Sequence, residues 1–492
     1  MSSIAQWASS WQPSGGHSPE LLLTRGSGEQ VALLAKRFPS SLVLSWASRS
    51  APRRREARWL IEPEPALFAA SAQRVLALGV EAYLANPPRE ACVEGPSAEE
   101  LEQAVALVSR RAQVEQGTLR AAAREVFGNL RENLPLILGE GIPLSGVLQF
   151  LEGRPVLVAG AGPSLTGVLD ALGAGRERVF LLAASSALRP LHLAGIHPDA
   201  VAILEARDRR RHFEGVPEST LREMLLFADS STHPAHLESP FAYKIIFHGA
   251  PGSFLAAIFG KGSLVPNGGN IGTAMLVIAW MLGARPVLAA GLDFAAPAGR
   301  HYAAGSGSEG LERAGEPLLK VPAWDGTLLE AGLDLVGYRE ETEALLAGIA
   351  QLDPEARFEA VTLEGARIAG MEGRGWEAAI AELPDRVEHG LLSRLAQLRS
   401  VRNGLFREPS VGEALAPLER SLSSVATDPG GVLAGYAYTE PADPLLSLLL
   451  GPELLAAREG EGGLAAGGAQ ALARAAENVA AMRRKAEELD RR

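Results

Sequence analysis

Cysteine is almost absent from this sequence, and its scarcity excludes disulfide-stapled and zinc-bound folds. Cys92 is the single cysteine among 492 residues. One thiol cannot form an intrachain disulfide, and no cysteine–histidine spacing around it suits a zinc site. A lone cysteine is usually a small buried apolar residue, and this is the expectation for Cys92.

Basic residues and long apolar runs are also scarce. Lys and Arg number 47 against 58 Asp and Glu, which gives a net charge of −11. General nucleic-acid binding needs a basic surface, so no nucleic-acid partner is expected. The most apolar run, Ile271–Leu282, has 12 residues, fewer than the roughly 20 that span a bilayer. Residues 1–20 lack the basic and apolar regions of a signal peptide. These features predict a cytoplasmic protein without a membrane span.

Apolar runs of strand length alternate with helical patterns through the middle of the chain. Arg154–Ala159 is a continuous apolar run that ends at a glycine, as expected of a parallel strand buried on both faces. Further strands are predicted at 178–183, 200–204, 224–228, 243–247 and 286–290. This alternation predicts an α/β fold whose centre is a Rossmann-like, doubly wound sheet.

The pattern divides the chain into four predicted segments. They are a small N-terminal α/β domain (1–95), a helical connector (96–150), the Rossmann-like domain (151–372) and a helical C-terminal region (373–492). Ser97 and Glu100 form a capping box that starts a helix in the connector. In the C-terminal region an apolar stripe has two interpretations, packing on the central domain or recognition of a protein acceptor. The stripe consists of Leu391, Leu392, Leu395 and Leu398.

The first strand of the predicted Rossmann-like domain leads into a glycine-rich turn, Gly160-Ala-Gly162-Pro163-Ser164. In open α/β sheets, ligands bind beyond the carboxyl ends of the strands. Glycines there let the backbone approach a ligand, and a helix start offers N–H groups to an anion. We therefore predict that Gly160, Gly162, Pro163 and Ser164 bind a nucleotide phosphate or sugar. A tight turn without a ligand is the alternative.

Two familiar nucleotide motifs do not fit this turn. A dinucleotide fingerprint needs a third glycine where Leu165 stands. A P-loop needs Lys followed by Ser or Thr where Val168 and Leu169 stand. Binding of NAD and P-loop NTPase chemistry are therefore not expected.

Polar residues follow the next two predicted strands. Ser185 and Ser186 come after the second strand, and Glu205 and Asp208 come after the third. We expect the serines to contact the ligand. The two carboxylates are a candidate Mg²⁺ site, since carboxylates hold divalent cations that bridge phosphates. A solvated helix start with charges of both signs is the alternative for the second pair.

A second glycine-rich segment precedes a predicted helix. Asn267, Gly268, Gly269 and Asn270 stand before the helix that contains Thr273. A helix start of this kind can bind an anion or ribose hydroxyls, so these five residues are candidate ligand contacts. The alternative is that Asn270 is only an N-cap, which would stabilise the helix by about 1 kcal/mol.

The last strand of the alternating pattern ends beside an acid, with a histidine and a tyrosine further along the chain. These residues are Asp293, His301 and Tyr302. Carboxylates and imidazoles near a ligand can act as general bases or acids. Asp293 and His301 are therefore the candidate catalytic residues, and Tyr302 is a candidate ligand contact. A structural role is the alternative for Asp293.

In their order along the chain, these motifs resemble the motility accessory factor (Maf) family. The resemblance covers about residues 120–375. It is carried by short matches at Asn129–Asn133, Gly160–Leu165, Gly195–Asp199, Asn267–Thr273, Gly291–Asp293, Gly299–Tyr302 and Thr362–Gly370.

The resemblance implies a central domain like those of bacterial sialyltransferases and of a 6-hydroxymethylpterin diphosphokinase (MptE-like). It also implies a glycosyltransferase that moves a nonulosonic acid sugar from a CMP-linked donor onto Ser or Thr of flagellin. The expected partners are then flagellin and the nucleotide sugar. Two alternatives stay open: a diphosphokinase-like enzyme that uses ATP, and a non-catalytic assembly factor that binds flagellin.

Overall fold

The computed structural model describes residues 3–387 with short gaps, and several pieces beyond them. The gaps are 13–19, 27, 40, 50, 52–53, 57–58, 79, 81, 86, 88–94, 122, 250–251, 253–254 and 309–317. Beyond residue 387, the described pieces are 395–397, 415–416, 453–454 and 463–490. Cys92 and three leucines of the predicted C-terminal stripe lie outside the described residues.

Strands and helices alternate along the described chain. The strands are β1 (Leu21–Arg25), β2 (Leu42–Trp46), β3 (Arg54–Glu56), β4 (Trp59–Glu62), β5 (Ala82–Leu84), β6 (Ile142–Pro143), β7 (Val156–Ala159), β8 (Phe180–Ala184), β9 (Ala200–Ile203), β10 (Leu225–Asp229), β11 (Tyr243–Phe247), β12 (Val287–Ala290), β13 (Leu318–Pro322), β14 (Leu328–Gly332), β15 (Phe358–Ala360) and β16 (Glu372–Gly373). The helices are α1 (Ser3–Ser10), α2 (Glu29–Arg37), α3 (Pro65–Ala77), α4 (Ala98–Ala121), α5 (Ala123–Gly139), α6 (Leu169–Ala174), α7 (Ser185–Leu193), α8 (Glu218–Leu221), α9 (Pro234–Leu237), α10 (Ala256–Phe259), α11 (Ile271–Met281), α12 (Leu333–Leu352), α13 (Trp376–Ala381) and α14 (Gly463–Asp490).

The chain folds into two compact units. One comprises residues 1–127 with 410–492, and the other comprises residues 128–409. Compactness alone does not define evolutionary domains, so the four segments inferred from the sequence stay a prediction.

The first unit contains a five-stranded sheet in the order β3-β4-β2-β1-β5. All its neighbouring strands are parallel except the antiparallel pair β3 and β4. The predicted capping box begins α4: Ser97 N–H donates to Glu100 Oε2 (2.6 Å), and Glu100 N–H donates to Ser97 Oγ (3.1 Å). In α14, Ala471, Ala475 and Val479 are buried at helical spacing, as expected of an amphipathic helix.

The second unit is built on a nine-stranded sheet in the order β16-β15-β12-β7-β8-β9-β10-β11-β6. Its strand pairs are all parallel. The central strands β7 to β10 are completely buried, which explains why their sequences are continuous apolar runs. The α/β class with a Rossmann-like central sheet is confirmed.

Helix α5 continues through a proline. Pro135 and the glycines that follow it are typical of irregular chain, but the helix extends to Gly139 with Pro135 inside it. Proline removes one helix hydrogen bond. The apolar face of Leu130, Leu134 and Ile137, which is fully buried, compensates because packing supplies most of the stability of helices in proteins.

Two asparagines on α5 hold the loops that follow β9 and β10. The side-chain amides of Asn129 and Asn133 donate hydrogen bonds of 2.7–3.1 Å to the carbonyl oxygens of Ala206 and of residues 230–232. Loop carbonyls that would otherwise be buried without a partner are satisfied in this way. The first motif of the family resemblance is therefore explained by its structural role.

No described helix combines the length and the apolar character that a membrane span requires.

His248 is a buried polar group in the second unit. It follows β11, it is 0% exposed, and neither ring nitrogen has a hydrogen-bond partner in the described structure. Burial lowers the pKa of His248 to about 3. The unfolded chain, whose histidines titrate near 6.5, therefore binds more protons than the folded chain between these two pH values, and acidification favours unfolding.

The replacement His248→Leu should make the protein less sensitive to acid. Between pH 7 and pH 5 the wild type should lose about 2 kcal/mol of unfolding free energy through this one histidine. The variant should lose correspondingly less, measured by urea unfolding at both pH values. His197→Gln, at an exposed histidine, should keep the wild-type pH dependence. Equal acid sensitivity of His248→Leu and wild type would contradict the prediction.

Candidate functional site

A cavity lies at the point where the strand order of the large sheet reverses. From β7 the chain proceeds through β8, β9, β10 and β11 on one side and then returns to form β12 on the other side of β7. Loops that leave the carboxyl ends of two such strands diverge and open a crevice. The crevice has a volume of about 170 Å³. The predicted site residues that line it are Gly160, Gly162, Ser186, Asn270, Asp293, His301 and Tyr302.

Other predicted site residues lie outside the lining of this cavity. They are Pro163, Ser164, Ser185, Glu205, Asp208, Asn267, Gly268, Gly269 and Thr273. Several of them contact the lining residues and hold them in place, as described below. Glu205 and Asp208 lie outside the cavity, on a separate surface.

The glycines of the first turn are required by the packing of two loops. A Cβ atom at Gly160 would lie 2.4 Å from the carbonyl oxygen of Gly291, and one at Gly162 would lie 2.6 Å from Asp293 Oδ2. Gly162 N–H also donates to the Gly291 carbonyl oxygen (2.9 Å). The turn after β7 and the loop after β12 thus touch backbone to backbone. This close packing accounts for both glycines without any ligand.

Asp293 clamps the turn in place. Its side chain is buried, Ser164 N–H donates to Oδ2 (2.9 Å), and the Ser164 hydroxyl donates to Oδ1. The Thr362 hydroxyl lies 3.0 Å from Ser164 Oγ and accepts from Gly291 N–H (3.1 Å). Burial raises the pKa of Asp293, and the hydrogen bonds from Ser164 only partly offset this rise. Because Ser164 engages both carboxyl oxygens, the geometry favours a positioning role for Asp293.

The clamp leaves the helical turn at residues 163–168 with few donors for an anion. Pro163 has no N–H, Ser164 N–H is bound to Asp293, and Leu165 N–H is bound to the carbonyl oxygen of Gly162. The expectation that this helix start presents free N–H groups is therefore wrong for these positions. The cause is the Asp293 side chain, which arrives from a distant part of the sequence.

The start of α11 offers donors instead. Asn270 is its N-cap, and its Oδ1 accepts from Thr273 N–H (2.8 Å), as the N-cap interpretation expects. Ile271 and Gly272, in the first turn of this 11-residue helix, line the cavity. N–H groups at these positions have no partner within the helix, and the helix dipole adds positive potential there. The cavity wall at α11 is therefore suited to an anion.

Helix α12 supplies two lining residues that the sequence did not indicate, Leu335 and Tyr338. A Cβ atom at Gly269 would lie 3.3 Å from the Tyr338 ring, so the glycine-rich segment before α11 packs beneath this ring. A hydrogen bond of 2.6 Å between the hydroxyls of Thr273 and Thr342 joins α11 to α12. More than fifty residues separate the end of α11 from Tyr338, and no local pattern marks the tyrosine as a site residue.

Ser185 contacts a histidine that joins two loops. Its hydroxyl lies 3.1 Å from His212 Nδ1, and His212 Nε2 lies 3.2 Å from the Ser308 hydroxyl. Burial lowers the pKa of His212 to about 4, so the ring is neutral at pH 7. His212 thus ties the loop after β9 to the start of α7 and to the loop that follows His301.

The two carboxylates predicted to hold Mg²⁺ are paired with arginines. Asp208 accepts from the Arg210 side chain at both oxygens, at distances of 2.5–3.1 Å, and Arg210 holds the pKa of Asp208 well below its usual range. Glu205 Oε2 lies 3.8 Å from Arg209 Nε. No cluster of three or more His, Cys, Asp or Glu suited to a metal occurs in the part of the chain that the structure describes. This donor set does not fit a resident Mg²⁺ ion.

The central region of the chain matches a known protein family. Residues 129–299 match the model of a family described as 6-hydroxymethylpterin diphosphokinase MptE-like. The central region is therefore similar to the MptE-like family. The matched range begins at Asn129 and ends at Gly299, so it includes the turn after β7, the whole of α11 and the Asp293 clamp.

The fold of the whole chain is similar to that of a solved structure described as a MAf glycosyltransferase from Magnetospirillum magneticum AMB-1. The TM-score is 0.59 and the sequence identity is 16%, over 100% of this chain and 83% of the other. No curated protein matches the sequence. The resemblance to the Maf and MptE-like family is confirmed, by sequence in the MptE-like domain and by fold over the full length.

Two glycine replacements test the packing of the MptE-like domain. In Gly162→Ala the new methyl group meets the Asp293 carboxylate at 2.6 Å, whereas in Gly167→Ala the nearest atom is 3.6 Å away. Overpacking of this kind should cost about 1–3 kcal/mol, while the control should change stability by less than about 0.5 kcal/mol. Thermal unfolding without ligand measures both. Unchanged stability of Gly162→Ala together with lost ligand binding would instead support the approach of a ligand to this glycine.

Proposed function

We propose that the chain is a glycosyltransferase of the Maf type. It transfers a nonulosonic acid sugar from a CMP-linked donor to Ser or Thr hydroxyls of flagellin. The observation that carries the proposal is the cavity at the strand-order reversal of an MptE-like domain, in a chain whose whole fold resembles that of a MAf glycosyltransferase.

The donor phosphate is assigned to the start of α11. Ile271 and Gly272 offer main-chain N–H groups to the cavity, and a helix start favours an anion. Ser186 and Tyr302 line the same cavity and can donate hydroxyl hydrogen bonds. Donors fixed in place before the reaction stabilise the charge that develops on the leaving phosphate. This is what cleavage of a CMP–sugar bond requires.

His301 is assigned as the general base. It is half-buried and lines the cavity, whereas both carboxyl oxygens of the other candidate, Asp293, accept hydrogen bonds from Ser164. A neutral imidazole can take a proton from an acceptor hydroxyl as that oxygen attacks the anomeric carbon of the sugar. Asp293 then contributes by holding the turn that forms the cavity floor.

The reaction is proposed to need no metal ion. The candidate ligands Glu205 and Asp208 lie outside the cavity lining, and arginines already compensate their charges. Stabilisation of the leaving phosphate is assigned to α11 instead. Transfer should therefore proceed at an unchanged rate in EDTA, measured with the purified chain, a CMP-activated nonulosonic acid and flagellin. A loss of transfer that Mg²⁺ restores would contradict this assignment.

A second candidate function is an ATP-dependent diphosphokinase. The match to the MptE-like family model favours it, because that model is described as a 6-hydroxymethylpterin diphosphokinase. Diphosphate transfer from ATP ordinarily requires a divalent cation that bridges the phosphates. The arginine-paired carboxylates argue against this candidate. Binding of Mg·ATP but not of CMP in calorimetry would favour it over the glycosyltransferase.

The replacement His301→Gln tests the assignment of the base. Loss of a general base should lower the rate of sugar transfer by about 100- to 10,000-fold. Affinity for CMP should stay within about twofold, because the donor is held by other groups. Mass spectrometry of flagellin measures transfer, and calorimetry measures CMP binding.

The matched control for this test is His197→Gln. His197 is an exposed histidine before β9, at the opposite edge of the sheet, and its replacement should leave both quantities unchanged. Wild-type transfer by His301→Gln would refute the assignment. If the wild type bound no CMP and left flagellin unmodified, a non-catalytic assembly role would replace the proposed function.

A further inference from the structure

Exposed leucines gather on the hairpin formed by β13 and β14. Leu318 is 52% exposed, Leu319 41% and Leu328 63%, and Leu363, which lies beside the hairpin, is 38% exposed. Single exposed apolar residues are ordinary, whereas a group of them on one element marks a surface that binds something.

The strand register places two of these leucines on one face. Leu318 pairs with Gly332, Lys320 with Glu330, and Pro322 with Leu328, so these side chains share one side of the hairpin. The hairpin face is defined here as Leu318, Lys320, Pro322, Leu328 and Glu330, all of which are exposed. Lys320 Nζ lies 2.9 Å from Glu330 Oε1. The face therefore carries a leucine at each end and a neutral ion pair between them.

The hairpin does not need this face for folding. Its other side carries Val321 and Ala331, which are 2% and 0% exposed and pack into the unit. Side chains on the outer face can therefore be replaced at little cost in stability.

The hairpin is continuous with the walls of the cavity. Ala296 N–H, next to the lining residue Ala295, donates to the carbonyl oxygen of Glu330 (2.8 Å). On the other edge, Arg367 N–H donates to the carbonyl oxygen of Pro322 (2.8 Å). Strand β14 leads directly into α12, which carries the lining residue Leu335. A chain bound along the hairpin therefore lies beside the cavity.

The cavity is too small to hold a polypeptide acceptor. At about 170 Å³ it is smaller than the range of roughly 300–1,000 Å³ that is usual for small-molecule sites. A polypeptide whose hydroxyl receives the sugar must therefore be held outside it. This step depends on the proposed glycosyltransferase function.

We propose that the hairpin face binds the acceptor polypeptide as an extended segment with two apolar side chains four residues apart. Leu318 and the pair formed by Pro322 and Leu328 are separated by four strand positions, or about 13 Å at the rise of an extended chain. Residues four apart on an extended peptide point to the same side with the same spacing. The internal Lys320–Glu330 pair leaves no net charge on the face, so it suits a neutral segment rather than an acidic or basic one.

A second copy of the chain is a poorer occupant. Five strand positions on two strands cover about 17 Å by 10 Å, or about 170 Å². A stable protein–protein interface buries about 800 Å² on each partner. One extended segment of five or six residues matches the smaller area.

Peptide display on the full-length protein tests this proposal. A random twelve-residue library is selected on the wild type, and the enriched peptides are then measured against Leu318→Ser/Leu328→Ser by fluorescence anisotropy. The enriched peptides should carry apolar residues at positions i and i+4, and the double variant should bind them at least tenfold more weakly. The matched control is Leu352→Ser, at a leucine 78% exposed at the end of α12, which should bind them like the wild type. Calorimetry with CMP should give the wild-type affinity for both variants.

Three outcomes of the binding and sedimentation experiments would overturn the proposal. They are a selection without enrichment, enriched peptides that bind the double variant as tightly as the wild type, and a wild-type dimer in sedimentation that the double variant dissolves. Absence of CMP binding to the wild type would refute the proposed donor while leaving the peptide result to decide the role of the hairpin face. Flagellin glycosylation by the double variant at the wild-type rate would show that acceptor recognition lies elsewhere.

Discussion

The central unit depends on the buried carboxyl group of Asp293, which joins three loops. Those loops follow β7, β12 and β15, which are neighbours in the sheet. Ser164 donates to the carboxyl group from the first loop, Asp293 itself stands on the second, and Thr362 bonds to Ser164 from the third. Buried polar groups are stable only when hydrogen bonds satisfy them, so the three loops have little freedom to separate. The cavity lies against this junction.

The junction explains why glycine recurs around it. A Cβ atom at Gly160, Gly162 or Gly291 would lie within 2.7 Å of an atom of the facing loop, and one at Gly365 would lie 2.6 Å from Asp293 Cα. The same packing binds Ser164 N–H to Asp293, so this N–H group is not available to an anion. In the proposed function, the turn shapes the cavity, α11 offers the donors and His301 takes the proton.

The other half of the sheet is held by separate polar contacts. Asn129 and Asn133 of α5 fix the loops after β9 and β10, and His212 joins the loop after β9 to two further segments through Ser185 and Ser308. These contacts hold the start of α7, where Ser186 lines the cavity. In the proposed function, these hydrogen bonds hold the donor site in place before the reaction.

Local patterns alone determined much of this protein. Continuous apolar runs such as Val156–Ala159 have the length of buried parallel strands, so the class of the fold could be read from the sequence. The capping pairs at Ser97 and at Asn270 act over three residues, and both were predictable for that reason. Seven candidate residues from four segments of the chain also line one cavity, because each segment follows a strand that ends at the same edge of the sheet.

Tertiary structure alone decided which of these residues face a ligand and which support them. The Ser164–Asp293 contact spans 129 residues, so the sequence could not reveal that Ser164 N–H is already bound to a carboxylate. Tyr338 enters the cavity because α12 packs against α11 through the Thr273–Thr342 hydrogen bond, which spans 69 residues. Glu205 and Asp208 have the composition of a metal site, but nearby arginines neutralise them. Local sequence specifies elements and caps through short-range hydrogen bonds and periodicity, whereas the partners of a buried polar group depend on which distant loops the sheet brings together.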